Sequence, residues 1–396
     1  MQQEGSKKDI SKGKQMVFIF STLLFLLMVL AIISEILLYF FHYDSVYQRM
    51  QNFSLNQARW WTCDSTNGPR YVQNQAGKED SIFLKDQQWY FNRLKIVNKD
   101  GYQDKDEFVD IQPGSDSLKI LFAGDSFTWG ASADIDSSYV EVFEKDIKNI
   151  YPELVWNTGI PATGTNHALF TVKKYLPVQK SNYVILGFFT GNDFSDNLLP
   201  FNQLVFTDLT SCYNLFDYDR DFVPYKITKR EAFKKATGSY PMDELNIFQK
   251  LLIRSRFVAF LSDMEIKVAN RLSGNKKRAE ALEYKMTKEY LRQLNEFTRE
   301  NNAELIVLVI PSLPDIRERG AHYQLAVKIL NELSVKYLET VDLYSEKNYR
   351  KSGGGHWINS GHNITGHALS KYLLDYIKLK KQMTFRKPDN SSGIAK

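Results

Sequence analysis

The chain has 396 residues, of which 43% are hydrophobic, 24% charged and 14% aromatic. These proportions exclude a wholly disordered chain, a collagen-like chain and a polytopic membrane protein, and the length suits two to three domains of roughly 150 residues. The formal charge of +5 sits at the two ends: residues 1–15 carry +2 and residues 378–396 carry +5, so with Glu35 set aside residues 42–377 carry −1. A body so close to neutral gives no reason to expect the basic face that nucleic acid requires, and no nucleic-acid partner is expected.

Residues 1–15 read as a cytoplasmic N-terminus and 16–41 as a transmembrane anchor. From Val17 to Phe41 the only charge is Glu35. At 1.5 Å per residue, 20–25 helical residues span about 30–37 Å, enough to cross a hydrocarbon core. A cleavable signal peptide has an apolar core of about 7–15 residues followed by small residues. Here the run is longer and continues into Tyr39, Phe40, Phe41, His42 and Tyr43, so the segment is expected to stay in place. Lys7, Lys8, Lys12 and Lys14 before the run favour a cytoplasmic N-terminus, which puts the rest of the chain outside the cytosol, in the periplasm. Residues 42–115 read as a juxtamembrane extension in which Trp60 and Trp61 suggest packing. Cys63 and Cys212 form neither a disulfide framework nor a zinc site; a pair and two unlinked thiols both stay open.

From 117 onward a β/α rhythm sets in. Leu118–Ala123, Leu154–Asn157, Tyr183–Phe189 and Leu305–Ile310 are apolar runs of strand length. Helical spacing marks 139–150, 286–300, 324–338 and 361–378. Continuous apolar strands alternating with helices predict a parallel α/β sheet covered on both faces, spanning 116–382. Residues 197–285 interrupt the rhythm and read as an insertion over one edge of the sheet, its second half strongly helical at about 245–272 and 274–300. Residues 383–396 read as a disordered basic tail.

Four short motifs carry candidate chemistry. Gly124-Asp125-Ser126 ends the first strand, where open parallel sheets place their ligand sites, and the following helix offers backbone N–H groups and a positive dipole end to that serine. Asn157-Thr158-Gly159-Ile160-Pro161-Ala162-Thr163-Gly164-Thr165 is a loop with free backbone donors after a second strand. Gly191-Asn192-Asp193 follows the third, and an asparagine there can donate to a developing oxyanion. Gly353-Gly354-Gly355-His356 opens the last helix, and His356 is a candidate general base. Each motif alone is compatible with an ordinary turn.

Taken in this order, the motifs resemble the SGNH (GDSL-like) hydrolase superfamily, and with the anchor its membrane-anchored bacterial members. The resemblance covers 117–378, with the insertion unmatched. It implies a flavodoxin-like three-layer α/β sandwich with a parallel sheet, behind one N-terminal transmembrane helix. It further implies that Ser126 is the nucleophile, that His356 is the base, and that the oxyanion hole is built from the N–H groups of Ser126 and Ala162 with the Asn192 side chain. Ala162 departs from the family's glycine, with Gly164 as the fallback. His356 lies five residues before Gly361-His362, as the family pattern requires; His362, before Gly366-His367, is the rival. The family's aspartate three residues before the histidine is Gly353 here, or Asn359 in the rival frame. A dyad, a backbone carbonyl or a distant carboxylate such as Asp342 is left to orient the ring, and nothing assigns that role to Asp193 or Asp196. No metal or organic cofactor is implied. The implied activity is that of an extracytosolic esterase or O-acyltransferase acting on acetylated carbohydrate or another envelope ester. A lipid esterase or lysophospholipase is an alternative, as is a non-catalytic glycan-binding protein.

Overall fold

A computed structural model describes residues 12–43, 61–64, 68–71, 76–78, 94–105, 117–161, 163–197, 216–218, 224–226, 228, 230–231, 234, 242–272, 275–350 and 355–385. Its longer elements begin with α1 (Lys12–Phe40), β1 (Leu118–Gly124), α2 (Ser126–Trp129), α3 (Tyr139–Lys148), β2 (Glu153–Asn157), α4 (Thr165–Gln179), β3 (Tyr183–Phe189) and α5 (Asp193–Asp196). They continue with α6 (Ile247–Arg254), α7 (Arg256–Leu272), α8 (Asn275–Glu300), β4 (Glu304–Ile310), α9 (Ala321–Glu332), β5 (Lys336–Glu339) and α10 (Asn359–Phe385). Three short antiparallel strand pairs lie outside this series among the described residues.

The chain divides into two compact units. Residues 1–52 with 233–275 form one, and residues 53–232 with 276–396 form the other. The second holds a five-stranded parallel sheet in the order β5-β4-β3-β1-β2. Read from the other edge this is the 2-1-3-4-5 flavodoxin-like order, in which the chain reverses direction across the sheet between β1 and β3.

Strand periodicity explains the layers. Successive side chains point to opposite faces, and both faces are apolar here. Leu121, Ala123, Val184, Leu186, Val307 and Val309 pack beneath α4, α8 and α9, among Leu169, Val172, Leu294 and Ile329. Ile120, Phe122, Ile185, Ile306 and Leu308 pack on the other face against Tyr139, Val140, Phe143 and Ile147 of α3 and Leu369 and Leu373 of α10. The predicted three-layer α/β sandwich is what the chain forms.

One element differs from the sequence reading. The helical pattern over 324–338 ends at Glu332, turns through Ser334 at φ 52°, and gives way to β5. Ala326, Ile329 and Leu330 keep helical spacing and are buried, but Lys336–Glu339 is an edge strand whose residues are all partly or fully exposed. A short edge strand lacks the continuous apolar run that marks a central one. The last helix also runs past the expected domain end, to Phe385, and the rest of the tail lies outside the described residues. Of the extension at 42–115, the described stretch 97–105 is partly built into this unit's core: Tyr102 is buried edge-on to Tyr175, and Asp104 accepts the Asn157 N–H at 2.7 Å.

Candidate active site

The site forms at the carboxyl ends of β1 and β3, the strands that flank the topological switch. Gly124 leaves β1 at φ 151°, and a Cβ there would overlap the Thr128 side chain and approach the Gly187 carbonyl at 2.7 Å. Thr128 is itself buried and bonded to Tyr139 Oη at 2.9 Å, so it has nowhere to go. Gly124→Ala should therefore cost about 3 kcal/mol or more; an unchanged urea midpoint would show that the exit is not constrained.

That exit drops Ser126 onto the first position of α2. Asp125 caps the turn, accepting the Phe127 N–H at 2.9 Å, and Gly130 closes it in the left-handed conformation. The loop after β2 locks on from the side. Asn157 Nδ2 donates to the Thr128 carbonyl at 3.0 Å, and its Oδ1 accepts the Gly159 N–H at 3.0 Å. Gly159 lies against the Thr128 and Trp129 backbone, where a Cβ would not fit.

His356 arrives from 230 residues away. Its backbone is clipped to the segment before it: Arg350 N–H donates to the His356 carbonyl at 3.0 Å, and Ile358 N–H donates to the Asn348 carbonyl at 2.9 Å, around the Tyr349–Trp357 bridge. Trp357 is fully buried and meets the Phe127 ring edge-on at 4.8 Å. The imidazole lies over the same Phe127 ring at 5.1 Å. This packing places His356 Nε2 2.8 Å from Ser126 Oγ, within direct proton-transfer reach.

The rival histidine does something else. His362 is fully buried, with Nδ1 accepting the Tyr139 N–H at 3.3 Å and Nε2 donating to the Ala131 carbonyl at 3.1 Å. It pins α10 to the loop after α2. Asp342 is exposed and paired with Arg319 at 2.5 Å, Asn359 bonds Asp134, and Gly353 lies outside the described residues.

Asn192 precedes α5, directly after β3. Its Nδ2 donates to Asp196 Oδ2 at 2.7 Å. An amide has two such hydrogens, so this bond occupies one and leaves the other for a ligand. Asp193 turns inward to accept the Phe189 N–H at 3.0 Å and so braces the strand exit. Ala162 lies outside the described residues. Gly164, the fallback, begins α4 against the Asn197 side chain.

The Asn192–Asp196 pair is the feature that sequence reading missed; its only trace is the i, i+4 spacing from the residue before a four-residue helix to the last residue of that helix. Burial and the nearby Asp125 carboxyl push Asp196 up to about 7. Asp125 is likewise raised to about 7 by burial, and Asp193 is raised by burial and by both neighbours. A carboxyl whose folded pKa exceeds its unfolded value near 3.8 destabilises the native state once ionised, so stability is gained as pH falls from about 7 towards about 4. Asp196→Asn removes that titration. Its stability advantage over the native sequence should be larger at pH 8 than at pH 5 in urea unfolding, and a pH-independent difference would contradict the raised carboxyl.

No protein-family model matches the sequence, and no curated protein matches it. Solved structures are similar at the level of fold. A two-domain esterase active on acetylated mannans aligns at 12% identity and TM-score 0.37, over 66% of this chain but only 50% of its own length. A lipolytic protein of the G-D-S-L family from Desulfitobacterium hafniense aligns at 12% identity and TM-score 0.34, over 64% of this chain and 99% of its own. A catalytic mutant of an acetylxylan esterase from Geobacillus stearothermophilus aligns at 14% identity and TM-score 0.36, over 66% and 95%. Likenesses this distant carry no argument about chemistry, which rests on the distances above.

Proposed function

We propose that the chain is a membrane-anchored serine esterase or O-acyltransferase of the SGNH type, with Ser126 as nucleophile and His356 as general base. The observation that carries this reading is the 2.8 Å contact between Ser126 Oγ and His356 Nε2 at the carboxyl end of β1. A non-catalytic descendant has no need to hold these two atoms at bonding distance.

His356 Nε2 takes the hydroxyl proton as Oγ bonds to the ester carbonyl carbon, and the carbonyl electron pair moves onto oxygen. The oxyanion is met by the N–H groups of Ser126 and Ala162 and by the second Asn192 amide hydrogen. Collapse expels the alcohol, which leaves with the proton from His356. Water, or a sugar hydroxyl, then attacks the acyl-enzyme with His356 again as base. Each of these steps uses side chains and backbone of this chain alone.

The anchor is α1. Its 28 residues from Gly13 to Phe40 are long and apolar enough to cross a membrane. The N-terminal lysines orient it with residues 1–15 in the cytoplasm and the sheet domain outside. A tethered domain there meets acetylated glycans and envelope polymers, which are the proposed substrates, with lipid esters as the alternative. The test is a panel of acetylated oligosaccharides, short-chain and long-chain esters presented to the full chain in detergent, beside Ser126→Ala. Serine-dependent deacetylation of the sugars supports the reading. Preference for long-chain esters shifts the substrate to lipid, and no serine-dependent turnover of any ester overturns it.

A further inference from the structure

Glu35, the one charge in the apolar run, is not idle. Its Oε1 accepts the Arg256 N–H at 2.9 Å, and its Oε2 accepts the Phe257 N–H at 2.8 Å and the Ser255 hydroxyl at 2.7 Å. Ser255 Oγ in turn accepts the Val258 N–H at 3.2 Å, and the Ser255 carbonyl accepts the Ala259 N–H at 3.0 Å. The first four amides of α7 are thus all satisfied, two of them by a carboxylate from another helix, where the dipole also favours a negative charge. The latch is closed from the other side. Arg256 donates to the Tyr39 carbonyl at 3.1 Å, and its guanidinium lies over the Tyr39 ring at 4.9 Å.

Further along, Tyr43 Oη donates to Asp263 at 2.5 Å and its ring meets Phe260 edge-on. Contacts therefore step from Glu35 with 255–257 to Tyr43 with 260–263. So α7 runs beside the end of α1 in the same direction, starting at the level of Glu35. From Val17 to Glu35 is about 27 Å of helix, close to the roughly 30 Å of a hydrocarbon core, so that level is the lipid boundary. What immediately precedes Ser255 is α6, set at that boundary within the same compact unit.

Helix α6, Ile247-Phe248-Gln249-Lys250-Leu251-Leu252-Ile253-Arg254, has the composition such a position asks for. Ile247 is 81% exposed, Phe248 66% and Leu252 39%. Its charged residues are Lys250 and Arg254, Arg256 follows, and there is no acidic residue. Its start is fixed by a reciprocal capping box between Asn246 and Gln249. Apolar side chains on one helix with lysine and arginine beside them are the signature of an interfacial helix on an anionic bilayer.

We propose that α6 is a second membrane contact: latched to the anchor through Glu35, it lays Ile247, Phe248 and Leu252 into the leaflet beside α1, with Lys250, Arg254 and Arg256 at anionic headgroups. This rests on reading α1 as a membrane span. The exposed Leu261, Met264 and Val268 of α7 belong largely to the stretch beyond Tyr43 and are not part of the surface.

The test uses the full chain, with Cys63 and Cys212 replaced by serine, in vesicles of phosphatidylcholine and phosphatidylglycerol carrying nitroxide lipids at shallow or deep positions. Single cysteines bearing an environment-sensitive fluorophore are placed at Phe248→Cys, at Phe25→Cys in the middle of α1, and at Val178→Cys, exposed in the sheet domain. The label at 248 should be quenched at least about two-fold more by shallow than by deep nitroxides, as for a helix in the headgroup boundary. The label at 25 should respond to deep nitroxides and that at 178 to neither. If 25 is quenched and 248 behaves like 178, the anchor stands and the inference falls. If 25 is not quenched either, the reading of α1 fails and the inference goes with it. Glu35→Leu should lose most of the shallow quenching at 248; full retention would overturn the latch.

Discussion

Ser126→Ala is expected to lower ester turnover by about 10⁴-fold or more and to abolish labelling by a serine-reactive phosphonate, because in the proposed mechanism the hydroxyl oxygen is the atom that becomes acylated. His356→Ala should cost nearly as much, and the double variant little more than either one, since nucleophile and base act as a unit. His362→Ala is the control that separates the two histidines. It empties a fully buried site and strands the Tyr139 N–H and the Ala131 carbonyl, so it should lose stability, by about 1–3 kcal/mol, while what folds still takes the phosphonate label. Full labelling of Ser126→Ala, or loss of labelling in folded His362→Ala, would reverse the assignment. The physical ground is geometric: one imidazole faces the serine oxygen, and the other has both nitrogens committed to backbone.

Asn192→Ala should lower kcat by about 10²–10³-fold with a much smaller change in KM, the pattern of an interaction that strengthens as the carbonyl oxygen gains charge. The Asp196 carboxylate gives the amide its polarity. An ionised carboxylate accepts from Nδ2 and repels Oδ1, so it turns the NH₂ end the right way round and leaves the second hydrogen for the substrate. Asp196→Asn keeps an acceptor of similar shape but loses that preference, so its effect on kcat should be smaller than that of Asn192→Ala, and largest above pH 7, where the native carboxyl is ionised. Equal kcat in Asn192→Ala and the native chain would remove Asn192 from the reaction.

The three central strands were legible because burial on both faces writes a continuous apolar run into the chain, at Leu118–Ala123, Tyr183–Phe189 and Leu305–Ile310; edge strand β2 was legible too, from Leu154–Asn157, whose last three residues are buried. The motif positions were legible for a related reason. A parallel sheet puts its loops at strand ends, so a serine or asparagine one or two residues past a strand has few places to be. Edge strand β5 was not legible, since half-exposed residues carry no such run and the preceding helical pattern extended into it. The Asn192–Asp196 pair was not legible either, because a four-residue helix leaves no periodicity to read.

What the sequence by itself determined is therefore local: which segments are buried on two faces, where the chain must turn, and that one apolar helix stands before a parallel α/β domain. What only the tertiary structure decided is which distant groups meet. Two histidines six residues apart have nearly the same sequence surroundings. Packing of Trp357 on Phe127 turns one to Ser126, while the opening of α10 buries the other against Ala131 and Tyr139. Glu35 is the same case. In sequence it is a lone charge in an apolar run, and only the arrival of Ser255, Arg256 and Phe257, some 220 residues later, makes it a helix cap. Periodicity reports how each element faces its neighbours on average, but the pairing of side chains across such separations is set by the closing of the fold and has no local code.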